Sequence, residues 1–252
     1  LEMIIGGHRG LGCTDHDFYQ KLRPVAELPV ENTSDSVAAA FAVGADYVEI
    51  DAVMSADGVV FTLHNVVPAD HFFSAPMPGA LLNKLPFSEI ERYYTGRGNN
   101  GTISALEHVL RVVTAHDPQT APFAVNIEIK GVQGSGQAYE TNDYLQRLAA
   151  AVTASGIDPA RVLFSSFCLR NISAMSHLLP EAQYGMLFSE REFARAIYSD
   201  HVDEPAFQYL PFDEAHVGHM LNMWAMEASD AAKLSYLHPE VQSITPKGVL
   251  DA

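Results

Sequence analysis

Two acidic residues separated by a single residue are the first sign of chemistry in this sequence. Glu49 and Asp51 lie within residues 47–53, a stretch whose other residues are mainly apolar. Alternate side chains of a β-strand share a face, so the pattern predicts a strand with both acidic residues on one face and apolar side chains on the other. Neighbouring carboxylates repel each other unless a cation lies between them. The pair therefore predicts a site for a hard divalent metal ion, with further ligands from elsewhere in the chain.

A second predicted strand, residues 123–130, also has a polar face. Asn126, Glu128 and Lys130 alternate with apolar residues, and packing alone does not require this pattern in a buried strand. Glu128 would bring a third carboxylate to the metal, and Mg2+ and Ca2+ prefer such oxygen ligands. Zn2+ is less favoured because it usually takes histidine ligands. Lys130 would add a positive charge for an anionic substrate.

Histidines follow two further predicted strands. His8 and Arg9 come after the apolar residues 3–7, and His64 comes after residues 59–63. In a parallel barrel the carboxyl ends of all strands open on one rim, so we expect these residues to meet the acidic residues there. A hard metal ion, two cations and two histidines suit phosphodiester hydrolysis, because cations neutralise the phosphate and histidines can act as general base and general acid. A serine esterase fits less well, since no G-x-S-x-G motif is present.

Each of these residues also has a structural explanation. A lone histidine at a strand end is usually a satisfied polar residue, and an alternating Glu-x-Lys strand is often an exposed edge. For any single residue the two explanations are evenly matched. The coincidence of such residues at four strand ends favours a functional site.

The elements that would position these residues alternate in type along the chain. A helix is predicted after Glu31, with Asn32, Thr33 or Ser34 as its N-cap and Gly44 beyond its end. Later helices are predicted over residues 103–115, 139–154, 171–179, 192–198 and 229–237, and later strands over 161–166, 182–188, 206–210, 221–226 and 241–245. About eight strands that alternate with helices indicate an α/β protein of the (β/α)8 TIM-barrel class.

Residues 66–102 interrupt this alternation. They are rich in proline, glycine and asparagine and contain one short amphipathic piece, residues 87–94. A connection of this length usually carries function or a small subdomain. We expect an inserted capping segment after the second or third strand, at the mouth of the site, within a single domain that spans residues 1–252.

The composition restricts the partners of this protein. Of its 252 residues 48% are hydrophobic and 18% charged, and the formal net charge is -16. Such a charge argues against a nucleic acid or an anionic bilayer as main partner, and no run of about 18 apolar residues predicts a membrane span. We expect a small-molecule phosphodiester substrate, no nucleic acid and no stable membrane insertion.

The two cysteines, Cys13 and Cys168, leave the cellular compartment open. We expect a soluble protein, in the cytoplasm rather than the periplasm or outside the cell. The oligomeric state is not indicated.

Several motifs together resemble the glycerophosphodiester phosphodiesterase family. In chain order they are His8-Arg9-Gly10, Glu31-Asn32-Thr33, Ala40-Phe41, Gly44-Ala45-Asp46, Val48-Glu49-Ile50-Asp51, Asp57-Gly58-Val59, His64 and Glu128-Ile129-Lys130. The resemblance in order and spacing covers the first half of the chain. Ser165-Ser166-Phe167 and Trp224 resemble the later strand-end motifs of that family.

The resemblance implies a TIM barrel with a small subdomain inserted after the His64 strand. It also implies metal-dependent hydrolysis of a glycerophosphodiester to glycerol 3-phosphate and an alcohol, with one divalent cation, Mg2+ or Ca2+. The implied roles are metal ligands for Glu49, Asp51 and Glu128, acid/base catalysis for His8 and His64, phosphate contacts for Arg9 and Lys130, pocket lining for Trp224, and support near the metal for Glu31.

The sequence departs from that family at three places. Asn65 stands where an aspartate usually follows the second histidine, and residues 68–73 replace an Arg-Thr-Thr-like stretch. Ala225-Met226-Glu227 stand where Thr-Val-Asn tends to follow the tryptophan. Because no implied ligand or histidine is lost, these departures bear on the identity of the substrate more than on activity.

Two other functions stay open. One is a phospholipase D of the sphingomyelinase D type that acts on lysolipids, for which Phe72 and Phe73 would supply an apolar lip. The other is a non-catalytic barrel that binds a phosphate ligand. Substituting either histidine would abolish turnover in an enzyme but leave the affinity of such a receptor nearly intact.

Overall fold

The structure is a computed structural model that describes residues 4–11, 29–64, 73, 82–94, 102–130, 141–166, 169–188 and 234–239. The strands are β1 (Gly6–Gly7), β2 (Tyr47–Met54), β3 (Val60–Thr62), β4 (Val125–Ile129), β5 (Val162–Ser166), β6 (Gln183–Phe188) and β7 (Leu234–Pro239). The helices are α1 (Ser34–Ala42), α2 (Phe87–Tyr93), α3 (Leu106–His116), α4 (Thr141–Ser155) and α5 (Leu169–Leu178), with 3-10 turns at Leu82–Lys84 and Pro159–Arg161.

Six of these strands form a parallel sheet in the order β1-β2-β4-β5-β6-β7. The register places Glu49 of β2 opposite Asn126 of β4, and Asp51 opposite Glu128. Residues opposite each other on adjacent strands share a face of the sheet. The shared polar face predicted from the two alternating patterns is therefore confirmed.

The first crossover unit follows the sequence prediction closely. Helix α1 begins after Thr33, whose side chain accepts a hydrogen bond from the Ser36 amide, so the structure selects Thr33 from the three candidate N-caps. Gly44, with φ of 98°, lies just beyond the end of the helix and turns the chain into β2. Strand β1 is shorter than the predicted 3–7, because Gly6 and Gly7 are the only residues of the described stretch 4–7 that pair with β2.

Strand β3 corrects the prediction that His64 lies at the end of a parallel strand. β3 pairs antiparallel with β2, with Ala52 opposite Thr62 and Met54 opposite Val60. The connection, residues 55–59, is too short for the crossover that a parallel strand needs, and Gly58 adopts φ of 83° in the turn. The chain therefore returns along β2 as a hairpin.

The predicted helix over residues 229–237 is also wrong, because Leu234–Pro239 form strand β7 and pair in parallel with β6. Short apolar runs do not distinguish strand from helix by periodicity, and pairing to the edge of a sheet decides between them. The predicted elements at 192–198, 206–210, 221–226 and 241–245, together with Trp224 and both cysteines, lie outside the described residues.

The main hydrophobic core lies between the sheet and its helices. The apolar face of β2, represented by Val48 and Ile50, is fully buried, and α3 adds a stripe of four buried side chains, Leu106, Val109, Leu110 and Val113. Each such side chain contributes roughly 1.5–3 kcal/mol by leaving water. Because this face fixes β2 and β4 against the helices, the acidic side chains on the opposite face are held close together.

The described parts of the predicted capping segment belong to a second hydrophobic cluster. Phe73, Leu82, Ile90 and Tyr94 pack with five apolar side chains outside the segment or at its border, Val30, Val53, Phe61, Leu63 and Ile103. These described residues thus pack on the β2–β3 hairpin, while the role of the segment as a cap stays a prediction. Within the described part of the chain, no helix combines the length and apolar character that a membrane crossing requires.

Candidate active site

Three carboxylates meet on the polar face of the sheet. Glu49, Asp51 and Glu128 each offer an oxygen, and these three atoms lie within 4.8 Å of one another. The register explains the cluster, since Asp51 and Glu128 are direct neighbours on adjacent strands and Glu49 precedes Asp51 by one alternation. Asp51 is only 1% exposed. These three residues, which we call the acidic triad, have the donor set and the spacing to hold a metal ion.

Two cationic side chains contact the triad. Lys130 Nζ lies 2.9 Å from Asp51 Oδ1 and 2.6 Å from Glu128 Oε1. Arg9 Nε lies 3.4 Å from Asp51 Oδ2, and Arg9 Nη1 donates to Glu31 Oε1 at 2.7 Å. When all groups are ionised, the triad and Glu31 carry four negative charges against two positive charges. One divalent cation would balance the difference.

The pKa values of the triad reflect this shortage of positive charge. Burial, reinforced by repulsion from Asp51, raises the pKa of Glu128 to about 7. Burial and the charges of Asp51 and Glu128 also raise the pKa of Glu49 well above its usual value. Burial acts in the same direction on Asp51, but Lys130, His64 and Arg9 outweigh it and lower the pKa of Asp51. Oxygen ligands in a cluster that lacks positive charge fit a hard divalent ion such as Mg2+ or Ca2+.

His8 lies at the exposed side of the triad. Its Nε2 is 3.8 Å from Glu49 Oε2, and its side chain is 54% exposed. Partial burial and the neighbouring Arg9 charge lower the pKa of His8, although Asp51 and Glu31 act in the opposite sense. An imidazole that is neutral near neutral pH can accept a proton.

The turn that carries His8 and Arg9 is fixed to β2. The Arg9 amide donates to Glu49 Oε2 at 2.9 Å, and the Gly10 amide donates to the Glu49 carbonyl at 3.2 Å. Gly10 adopts φ of 84°, and a Cβ there would lie 2.4 Å from Ser36 Oγ. Only glycine fits this close approach between the turn and α1.

His64 reaches the same site through the β2–β3 hairpin. Leu63 donates its amide to the Asp51 carbonyl at 3.1 Å, so His64 follows a residue that is paired with a triad member. His64 influences the pKa values of both Asp51 and His8. The structure thus brings together eight of the nine predicted site residues: His8, Arg9, Glu31, Glu49, Asp51, His64, Glu128 and Lys130. Trp224 lies outside the described residues.

Asn32 belongs to this site, although the sequence suggested only a helix cap there. Its Nδ2 donates to Asp51 Oδ2 at 2.8 Å, and its Oδ1 accepts from the Asp51 amide at 2.9 Å. Its φ is 58°, a left-handed conformation that asparagine adopts more readily than most residues. An asparagine directly before the N-cap of α1 is the only local signal for this role.

Comparison with known protein families gives a match. The sequence matches the model of the Glycerophosphoryl diester phosphodiesterase family over residues 8–245. Comparison with curated protein sequences gives no match.

Solved structures share the fold. A proposed glycerophosphoryl diester phosphodiesterase from Silicibacter pomeroyi superposes with a TM-score of 0.66 at 18% identity, covering 100% of this chain and 79% of its own. A proposed glycerophosphodiester phosphodiesterase from Galdieria sulphuraria superposes with a TM-score of 0.63 at 19% identity, and the match covers 100% of this chain and 80% of that protein. A phosphodiesterase from Oleispira antarctica, in complex with the product sn-glycerol-3-phosphate, superposes with a TM-score of 0.57 at 18% identity. The match covers 99% of this chain and 97% of that protein. The predicted TIM-barrel class is confirmed.

The raised pKa values of the triad lead to a prediction for pH and metal dependence. Glu49 and Glu128 have higher pKa values in the folded, metal-free chain than the value of about 4.3 in an unfolded chain. Their protonation therefore stabilises the folded state at low pH, and this stabilisation is lost as the pH rises through the folded pKa of Glu128, about 7. In EDTA we expect the melting temperature to fall between about pH 5 and about pH 8. With Mg2+ or Ca2+ we expect a smaller fall.

Thermal unfolding at both pH values, with EDTA or with either metal ion, measures this effect. Glu128→Gln should reduce the pH dependence in EDTA. Glu91→Gln removes the same charge from an exposed position on α2 and should leave it unchanged. A metal-induced rise in melting temperature that is equal at both pH values would contradict the prediction.

Proposed function

This chain belongs to the glycerophosphoryl diester phosphodiesterase family, and we propose that it hydrolyses a glycerophosphodiester to glycerol 3-phosphate and an alcohol with His8 and His64 as acid/base pair. The chain is a glycerophosphodiester phosphodiesterase; the division of labour among its residues is our proposal. The observation that carries it is the acidic triad with both histidines and two cations around it. That the Oleispira antarctica protein binds sn-glycerol-3-phosphate supports this choice of product.

We assign the metal site to Glu49, Asp51 and Glu128 and one divalent ion, Mg2+ or Ca2+. Such an ion, when bound, polarises a phosphate oxygen and neutralises developing negative charge. The triad supplies only oxygen donors, and two of its members have raised pKa values. Glu31 Oε1 lies 2.7 Å from Arg9 Nη1 and neutralises its charge. Glu31 thus supports the site without belonging to the triad.

Arg9 and Lys130 are the proposed phosphate contacts. Both lie against Asp51, and the Lys130 side chain is 13% exposed. A divalent ion held by the triad would neutralise Asp51 and Glu128 in place of the Lys130 ammonium. The donors of Lys130 would then be available to the phosphate, whose charge they would stabilise through charge-assisted hydrogen bonds.

The two histidines transfer the protons. His8, whose pKa is lowered, takes the proton from the attacking oxygen, which belongs either to water or to a neighbouring hydroxyl of the substrate. His64 gives a proton to the leaving alcohol oxygen as the P–O bond breaks. If the substrate's own hydroxyl attacks, the product is a cyclic phosphate, which a water molecule then opens. Trp224 is proposed as a pocket-lining residue on the sequence resemblance alone.

Substrate assays test the activity. We expect glycerol 3-phosphate to be released from glycerophosphocholine and from other glycerophosphodiesters, to disappear in EDTA, and to return with Mg2+ or Ca2+. Enzymatic determination of glycerol 3-phosphate measures the release. Turnover of lysophosphatidylcholine micelles without turnover of glycerophosphocholine would contradict the proposed substrate class and favour the sphingomyelinase D type.

Substitution of the histidines tests their roles. We expect His8→Ala and His64→Ala each to lower kcat by roughly 10^2- to 10^4-fold, because each removes one proton-transfer group. The increase in melting temperature on adding Mg2+ should remain, since neither histidine belongs to the triad. His177→Ala, at an exposed position near the end of α5, is the control and should keep kcat. Undiminished hydrolysis by His8→Ala would remove that residue from the mechanism.

Lys130 distinguishes a phosphate contact from a structural counter-ion. We expect Lys130→Met to lower kcat/KM about 10- to 150-fold at saturating metal, the loss of a charge-assisted hydrogen bond worth roughly 1.5–3 kcal/mol. Its affinity for Mg2+ should equal or exceed that of the wild type, because the ammonium no longer competes for Asp51 and Glu128. Steady-state kinetics and calorimetric titration measure the two effects. If Lys130 only stabilised the fold, metal-saturated kcat/KM would not change.

A further inference from the structure

Asn32 connects three elements of the active site through all of its polar groups. The side chain is paired twice with Asp51, as described above, and the residue is 1% exposed. The Asn32 amide donates to the Arg9 carbonyl at 2.9 Å, and the Asn32 carbonyl accepts from Thr62 Oγ1 at 2.6 Å. Arg9 adjoins His8, and Thr62 lies two residues before His64. One buried residue therefore contacts the segments that carry a triad member and both histidines.

The chemistry of asparagine suits this position. The side-chain oxygen of Asn32 accepts a hydrogen bond from the Asp51 backbone amide, while its side-chain nitrogen donates to the Asp51 carboxylate. The amide group of Asn32 thus ties the Asp51 carboxylate to the Asp51 backbone. An aspartate could not donate the second bond while ionised, and a glycine would accept φ of 58° without making either side-chain bond.

The two carboxylate oxygens of Asp51 have different partners. Oδ2 accepts from Asn32 and lies 3.4 Å from Arg9 Nε. Oδ1 is fully buried, has no aligned hydrogen bond, and lies 2.9 Å from the ammonium of Lys130, which also contacts Glu128. The oxygen that shares the Lys130 ammonium with Glu128 is therefore the one to which Asn32 makes no hydrogen bond.

We propose that Asn32 is a positioning residue that presents Asp51 Oδ1 to the divalent cation. The inference rests on the proposed function in one respect, that the triad binds such an ion. Without the side-chain amide of Asn32, the Asp51 carboxylate could rotate and offer either oxygen to the cation. The entropy lost on fixing the carboxylate would then reduce the metal affinity. Residues that orient metal ligands in this way typically change metal affinity by 10- to 100-fold when they are removed.

Asn32→Gly is the sharpest test, because it deletes the side chain and keeps the left-handed backbone and both backbone hydrogen bonds. We expect the dissociation constant for Mg2+ or Ca2+, titrated separately by calorimetry into the folded protein, to rise about 10- to 100-fold. At saturating metal, kcat should recover most of its wild-type value.

Thr62→Val is the matched control. It removes the hydroxyl that bonds to the Asn32 carbonyl and so weakens the same turn, but it leaves the two bonds from Asn32 to Asp51. We expect a lower melting temperature and a metal affinity within about twofold of the wild type. Equal losses of metal affinity in both variants would mean that Asn32 only stabilises the turn, and would overturn the proposal.

A measurement on the wild-type chain does not depend on a variant that folds. The side-chain amide signals of Asn32 in a nitrogen-15 NMR spectrum should shift during titration with Mg2+, with the same midpoint as the calorimetry. The buried Asn171, in α5, serves as reference and should not shift. Metal binding with an unshifted Asn32 amide would overturn the positioning role, whereas the absence of any metal binding by the wild type would instead overturn the proposed metal site.

Discussion

The site depends on like charges that the fold holds close together. Glu49, Asp51 and Glu128 have ligand oxygens within 4.8 Å of one another, and two unit charges about 4 Å apart repel by roughly 4 kcal/mol at an effective dielectric constant of 20. The net stability of a domain is only about 5–15 kcal/mol. The buried apolar face of β2 prevents the strands from relieving the repulsion by moving apart. Protons or cations must therefore neutralise it, and the raised pKa values of Glu49 and Glu128 are the consequence.

The positive charges around the triad are distributed unevenly. Arg9 is shared between Glu31 and Asp51 Oδ2, while Lys130 bridges Asp51 Oδ1 and Glu128 Oε1. Glu31 is 2% exposed and keeps Arg9 in place. Arg9 is therefore anchored by a carboxylate outside the triad, whereas Lys130 bridges two members of the triad. The planar guanidinium of Arg9 contacts its two carboxylates through different nitrogens, whereas the ammonium of Lys130, a compact charge, contacts both of its carboxylates through one nitrogen.

The sequence revealed those parts of the site that depend on local periodicity. Alternation over β2 and β4 placed Glu49, Asp51, Glu128 and Lys130 on one face, because a buried apolar face leaves only one register. Asn32 could not be found in this way. Three consecutive polar residues could each cap α1, and only the tertiary structure shows that Thr33 does so while Asn32 turns back to Asp51. The helix predicted over residues 229–237 failed for a related reason, since pairing with β6 rather than local propensity makes Leu234–Pro239 a strand.

The antiparallel course of β3 explains how the second histidine meets the triad. A parallel strand would bring His64 to the rim through a separate crossover, and its distance from Asp51 would then depend on the packing of a whole helix. In the hairpin, Leu63 is hydrogen-bonded to the Asp51 carbonyl, so the chain leading to His64 is in register with the strand that carries two triad members. A slip of one residue in this register would reverse the side chains of β3 and remove Phe61 from its buried cluster. The packing of the hairpin against Phe73, Leu82 and Ile90 therefore also fixes the approach of His64 to the triad.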